Sequence, residues 1–117
     1  VASLDNCAFQ VFTSVVSRGG EDRGILDAGS KTLTSDTGGL DGFGYILEHP
    51  NARIHKFAEE HGFLDLTQCN KKPSVGDIVR VIPNHVCVAV NMVDQLIAVR
   101  GNEIVDVIPV EARGKLV

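Results

Sequence analysis

The sequence predicts an all-β fold, a small β-barrel or sandwich, and three observations carry that expectation. Short runs rich in β-branched and aromatic residues recur along the chain, and clusters of Gly, Pro, Asn and Asp separate them. No segment sustains the apolar period of an amphipathic helix. The length of 117 residues, with 44% hydrophobic and 22% charged residues, fits a single domain able to bury a real core.

The first strand is expected over Cys7 to Ser17, stopped by Gly19-Gly20, and the second over Arg23 to Gly29, with Arg18 to Asp22 turning between them. Ser30 to Gly39 is small, polar and glycine-tipped, the composition of a long surface loop. Phe43 to Leu47 reads as a short strand and Arg53 to Glu59 as a longer one, although Phe57-Ala58-Glu59-Glu60 has some helical propensity. Pro73 to Asp77 is a turn leading into a strand over Ile78 to Ile82, which Pro83 ends. Val86, Val88 and Val90 favour a strand in the stretch that follows. Gln95 to Arg100 and Glu103 to Val110 form a hairpin about Gly101-Asn102, with Pro109 at a strand end.

Composition excludes several functions. A net charge of −4 and few aromatic residues argue against a nucleic-acid surface, which needs cations for the phosphates and rings for the bases. No apolar run approaches the length of a membrane helix, and no charged, apolar, small-residue leader stands at the start, so a cytoplasmic protein is expected. Three cysteines without framework spacing suit a reducing compartment, with Cys7 and Cys69 read as buried or inert. Val1 in place of an initiator Met suggests that residues 1–117 are a fragment of a longer chain.

One stretch carries chemistry. In a strand, His85 and Cys87 of Pro83-Asn84-His85-Val86-Cys87 would face the same side, roughly 6.5–7 Å apart along the chain, and one ion could reach both with some lean of the side chains. The competing reading is a satisfied histidine beside a buried thiol, since two ligands fall short of the four, or three and a water, of ordinary zinc sites. A thiol hydrolase, with Cys87 as nucleophile and His85 as base, would also need an orienting group and an oxyanion hole, and neither is visible in the sequence.

Five stretches in order resemble the C-terminal domain of the D-serine dehydratase-like and D-threonine aldolase-like family, fold type III pyridoxal-phosphate enzymes of the alanine racemase-like fold. They are Asp27-Ala28-Gly29-Ser30-Lys31 with Ser35-Asp36, Glu59-Glu60-His61-Gly62, Val75-Gly76-Asp77, Pro83 to Cys87, and Pro109-Val110 through Ala112-Arg113-Gly114. The resemblance runs from about Cys7 to the end of the chain. It implies a parent in which a (β/α)₈ barrel, absent here, carries the Schiff-base lysine and pyridoxal phosphate. It further implies that His85 and Cys87 bind a divalent ion, with zinc suited to that donor pair, beside the cofactor. That ion would polarise the β-hydroxyl of a D-amino acid substrate while open positions admit water or substrate.

Ser30, Lys31 and Asp36 become active-site loop candidates on the same ground, although as a loop lysine and two turn residues they have ordinary roles too. Aldolases of the group carry an acidic residue where Cys87 stands, so the thiol leans toward the dehydratase side. Tyr45, the only tyrosine, offers no clear counterpart to a racemase base. The expected partners are the parent barrel, the D-amino acid and a second copy in a homodimer, with no nucleic acid and no membrane. The fragment alone is expected to be inactive, with no catalytic residue of its own. The alternative is an interaction or dimerisation module without bound metal. His49, His55 and His61 lie outside the motif and are expected at exposed or rim positions.

Overall fold

The computed structural model describes residues 3–115. After a single 3-10 turn at Leu4–Asn6, the strands are β1 (Val11–Ser17), β2 (Arg23–Leu26), β3 (Tyr45–Ile46), β4 (Arg53–Phe57), β5 (Gly62–Asp65), β6 (Ile78–Ile82), β7 (Gln95–Arg100) and β8 (Glu103–Pro109). Two short helices interrupt them, α1 (Ser30–Leu33) and α2 (Val86–Asn91). The first six strands form one antiparallel sheet in the order β3-β6-β1-β2-β5-β4, and β7 and β8 make a separate hairpin.

That sheet curls into a nearly closed barrel. Its outer strands β3 and β4 meet where the Phe43 N–H, just before β3, donates to the Ile54 carbonyl in β4 at 3.0 Å. Alternation along the strands sends Val15, Leu26, Ile54, Leu64, Val79 and Val81 inward, where Leu33, Ile46 and Leu66 complete the core. Phe43 and Phe57 pack on it with ring centroids 4.6 Å apart.

The class is as the sequence predicts, and the element bounds differ for identifiable reasons. Cys7 to Gln10 and Asp27 to Gly29 lie outside β1 and β2. β5 has no counterpart in the sequence reading, because its four residues begin at a glycine, follow a charged turn and carry a single buried large side chain, Leu64. Ser30 to Leu33 is helical rather than loop: the Ser30 and Lys31 N–H groups donate to the Ala58 and Glu59 carbonyls, at 3.0 and 3.1 Å, so one turn of helix is satisfied at its start without a side-chain cap. That contact requires Gly29, since a Cβ there would lie 2.4 Å from both the Ala58 and Glu59 carbonyl oxygens.

The largest difference is α2. Three valines favour a strand, yet the strand they follow, β6, is already paired on both sides, with β1 and β3. A helical turn satisfies the backbone locally instead, overriding propensity. Among the histidines, His55 and His61 are exposed as expected, but His49 is buried, its Nδ1 3.1 Å from the Lys71 carbonyl oxygen, because the turn after β3 folds under the 69–73 segment. Cys69 is buried and Cys7 half-buried.

β1 and β2 are also joined at their ends by Asp27, whose Oδ1 accepts from the buried Thr13 hydroxyl at 2.5 Å and from the Ser14 N–H at 2.7 Å. The Thr13 bond, offset by desolvation and reinforced by the Ser14 N–H, holds this carboxyl below its usual range. A depressed folded-state value means stability that is present above the unfolded carboxylate value of about 3.9 and lost as pH falls through the folded one. Thr13→Val is therefore expected to cost about 1 kcal/mol at neutral pH, with the gap from wild type narrowing on acidification below about pH 4. Urea denaturation across that pH range checks it.

Candidate functional site

Strand direction gathers the site. β2 and β6 run the same way, so α1 after β2, α2 after β6 and the 34–44 segment leading into β3 all lie at one end of the barrel. Asn84 fastens them. Its Nδ2 donates to the Thr37 and Gly42 carbonyls, each at 2.9 Å, tying the chain leaving β6 to the loop before β3.

His85 follows with extended backbone as the residue capping α2, and its Nδ1 lies 2.5 Å from Asp36 Oδ2. Asp36 is itself held: its Oδ1 accepts from the Gly38 N–H at 2.9 Å, and its own N–H donates to Thr34 Oγ1 at 3.2 Å. The Gly38 N–H and then the His85 ring keep the Asp36 carboxyl below the usual carboxylate range. Thr34 turns the chain toward this arrangement at φ +62°, a conformation rare for a β-branched residue.

Cys87 is exposed in the first turn of α2, whereas Ala89 is buried. The strand reading placed His85 and Cys87 on one face; that premise falls here, because His85 caps a helix whose first turn carries Cys87, and residues two apart on a helix do not share a face. Among the described residues no hydrogen bond links the Cys87 thiol to His85, and no three His, Cys, Asp or Glu side chains are grouped to hold a metal by themselves. No buried side-chain nitrogen or oxygen among them lacks a partner. Of the two motif side chains, His85 is half-buried and Cys87 exposed.

The remaining candidates separate. Lys31 lies on α1 with its Nζ 2.7 Å from Glu60 and 3.3 Å from Glu59 carboxylate oxygens, and Glu60 then Glu59 raise its pKa. Ser30 acts through its backbone, joining α1 to Ala58. Asp36 alone among the three loop candidates reaches the motif. The orienting group that the hydrolase reading lacks is therefore present in Asp36, but among the described residues no hydrogen bond joins His85 to the Cys87 thiol it would have to activate. Asn84 had no assigned role in the sequence, where its one signal is its place between a strand-ending proline and the histidine. A hollow of about 320 Å³ lined by Cys7, Phe9, Pro83, Asn84 and Val86 lies beside the site.

Comparison with known proteins decides the family. Residues 8–99 match the model of the putative serine dehydratase domain. The chain belongs to that family. An uncharacterised protein of Mycobacterium tuberculosis is 42% identical over 113 residues, covering 92% of this chain and 85% of that protein. D-threonine aldolase of an Arthrobacter species is 32% identical over 96% of this chain, which spans only 28% of the aldolase. In structure, D-threonine aldolase from Filomicrobium marinum superposes with a TM-score of 0.80 at 30% identity, over 92% of this chain and 29% of that one. D-threo-3-hydroxyaspartate dehydratase from a Delftia species shares the fold at a TM-score of 0.72 and 20% identity, over 86% of this chain and 31% of its own. This serine dehydratase-family chain is thus similar to one domain of larger lyases, and no helix among its described residues is long and apolar enough to cross a membrane.

Asn84→Ala should release the 36–42 loop. Loss of two hydrogen bonds is expected to lower stability by about 1–3 kcal/mol and to speed amide exchange in that loop while leaving the β1–β2–β5 amides protected. Unchanged exchange at Gly38 would mean that other contacts hold the loop.

Proposed function

We propose that this chain is the small C-terminal β domain of a pyridoxal-phosphate lyase acting on a D-amino acid with a β-hydroxyl, by elimination as in a D-serine dehydratase or by aldol cleavage as in a D-threonine aldolase. The observation that carries the reading is the meeting of His85 with Asp36 at the loop end of the barrel, two residues before an exposed Cys87. The relatives supply the context: a D-threonine aldolase and a 3-hydroxy-D-aspartate aldolase are similar over nearly the whole chain. The Delftia dehydratase has been solved as a histidine-to-alanine variant and as a metal-free cysteine-to-alanine variant, the replaced positions lying two apart, the spacing of His85 and Cys87.

In this reading the parent's barrel holds pyridoxal phosphate, which supplies the electron sink for the bond broken at Cα. His85 and Cys87 hold a divalent ion, best zinc, which supplies Lewis-acid polarisation of the β-hydroxyl. The barrel covers the apolar surface that this domain leaves open at α2, where Val86, Val88, Met92 and Val93 are exposed. Residues 1–117 alone lack the cofactor-binding half and are inactive. A cytoplasmic, homodimeric parent is in keeping with the free cysteines and exposed apolar side chains of this chain.

A second reading has one observation in its favour. The Mycobacterium relative is matched over 85% of its length, so a related chain consists mostly of this domain, and the β7–β8 hairpin presents an apolar face. Register places Ile97, Val99, Ile104 and Val107 together on that face, at 49, 56, 69 and 46% exposure. An interaction or dimerisation module without metal would need only such a surface.

Calorimetric titration of zinc into the chain and its Cys87→Ser and His85→Ala variants separates the two. The lyase-domain reading predicts measurable but modest affinity for the wild type, weakened by at least about tenfold in each variant. Equal behaviour of all three proteins would remove the metal site and leave the interaction module.

A further inference from the structure

We infer that Asp36 is a positioning residue for His85, fixing the proton on Nδ1 so that Nε2 is the ring atom presented outward. The inference rests on the lyase-domain reading for its purpose, but not for its geometry. A neutral imidazole has one N–H and one lone pair, and a carboxylate oxygen only accepts. At 2.5 Å from Asp36 Oδ2, Nδ1 must therefore be the protonated nitrogen.

The carboxylate is built for the task. Its second oxygen is occupied by the Gly38 N–H, so the group is fixed from its own loop before it meets the ring. The loop is fixed in turn by Asn84, the residue directly before His85, through the Thr37 and Gly42 carbonyls. Thr34 supports it from the other side, holding a strained left-handed φ while its hydroxyl receives the Asp36 N–H. Carboxylate and imidazole thus approach from two segments tied together on either side, which leaves the ring little freedom to turn over. Ligating histidines commonly carry such a carboxylate on their other nitrogen, which fixes the tautomer and raises the basicity of the ligating atom.

Long-range ¹H–¹⁵N correlation spectra of the uniformly labelled chain, recorded where the ring is neutral, report the tautomer of His85. The wild type should show the Nδ1–H form. Asp36→Ala should shift it toward the Nε2–H form that free imidazole side chains favour in water, and Asp36→Asn, whose amide oxygen still accepts, should fall between the two. Zinc affinity should fall by about 10–100-fold in Asp36→Ala and less in Asp36→Asn. The asparagine variant also serves should alanine unfold the loop. A predominantly Nε2–H wild type, or a tautomer unmoved by both substitutions, would overturn the inference. A tautomer that depends on Asp36 in a chain that binds no zinc would keep the positioning role and discard the metal.

Discussion

Asn84 places one carboxamide across the gap between two segments that are far apart in sequence, and the site depends on that crossing. Its two hydrogen bonds to the Thr37 and Gly42 carbonyls register the loop before β3 against the end of β6. Without them, Asp36 and His85 would sit on separate mobile connections, and a 2.5 Å contact between exposed groups would contribute little on its own. Pro83 ends β6 one residue earlier, so the strand cannot continue and carry His85 elsewhere.

The barrel turns this local tie into a site. Antiparallel order brings the ends of β2 and β6 and the starts of β1, β3 and β5 to one rim. Three of the five stretches on which the family resemblance rests meet there: Gly29 and Ser30 pack against Ala58 to His61, and the Asp36 loop against Asn84 and His85, while Val75-Gly76-Asp77 leads into β6 at the opposite rim. Glycine is needed where these segments cross, as at Gly62, where a Cβ would lie 2.7 Å from the Ala28 carbonyl oxygen. The resemblance thus has a physical reading, a set of close backbone approaches at the end of the barrel that bears the candidate ligands.

The strands were legible where alternation and turn residues agreed, as in Val11 to Ser17, Ile78 to Ile82 and the β7–β8 hairpin. The helices were not, because four to six residues are too few to show a period, and the valines of α2 argue locally for a strand. That α2 follows a strand already paired on both sides is a property of the sheet and is invisible in any window of sequence. His85, Cys87 and Asp36 were legible as candidates through the motif and the resemblance. The bond between His85 and Asp36 spans 49 residues and could be seen only in three dimensions. Lys31, also a candidate through the resemblance, pairs with Glu59 and Glu60 rather than with the motif.

The central claim is that His85, aimed by Asp36, offers Nε2 to an ion shared with Cys87. A crystal of the chain grown with zinc, with anomalous data collected on either side of the zinc edge, tests it most directly. The account predicts a peak at about 2.0–2.1 Å from His85 Nε2 and about 2.3 Å from Cys87 Sγ, with Asp36 still on Nδ1. Zinc bound through Nδ1 with Asp36 displaced, or found only on other side chains, would contradict it.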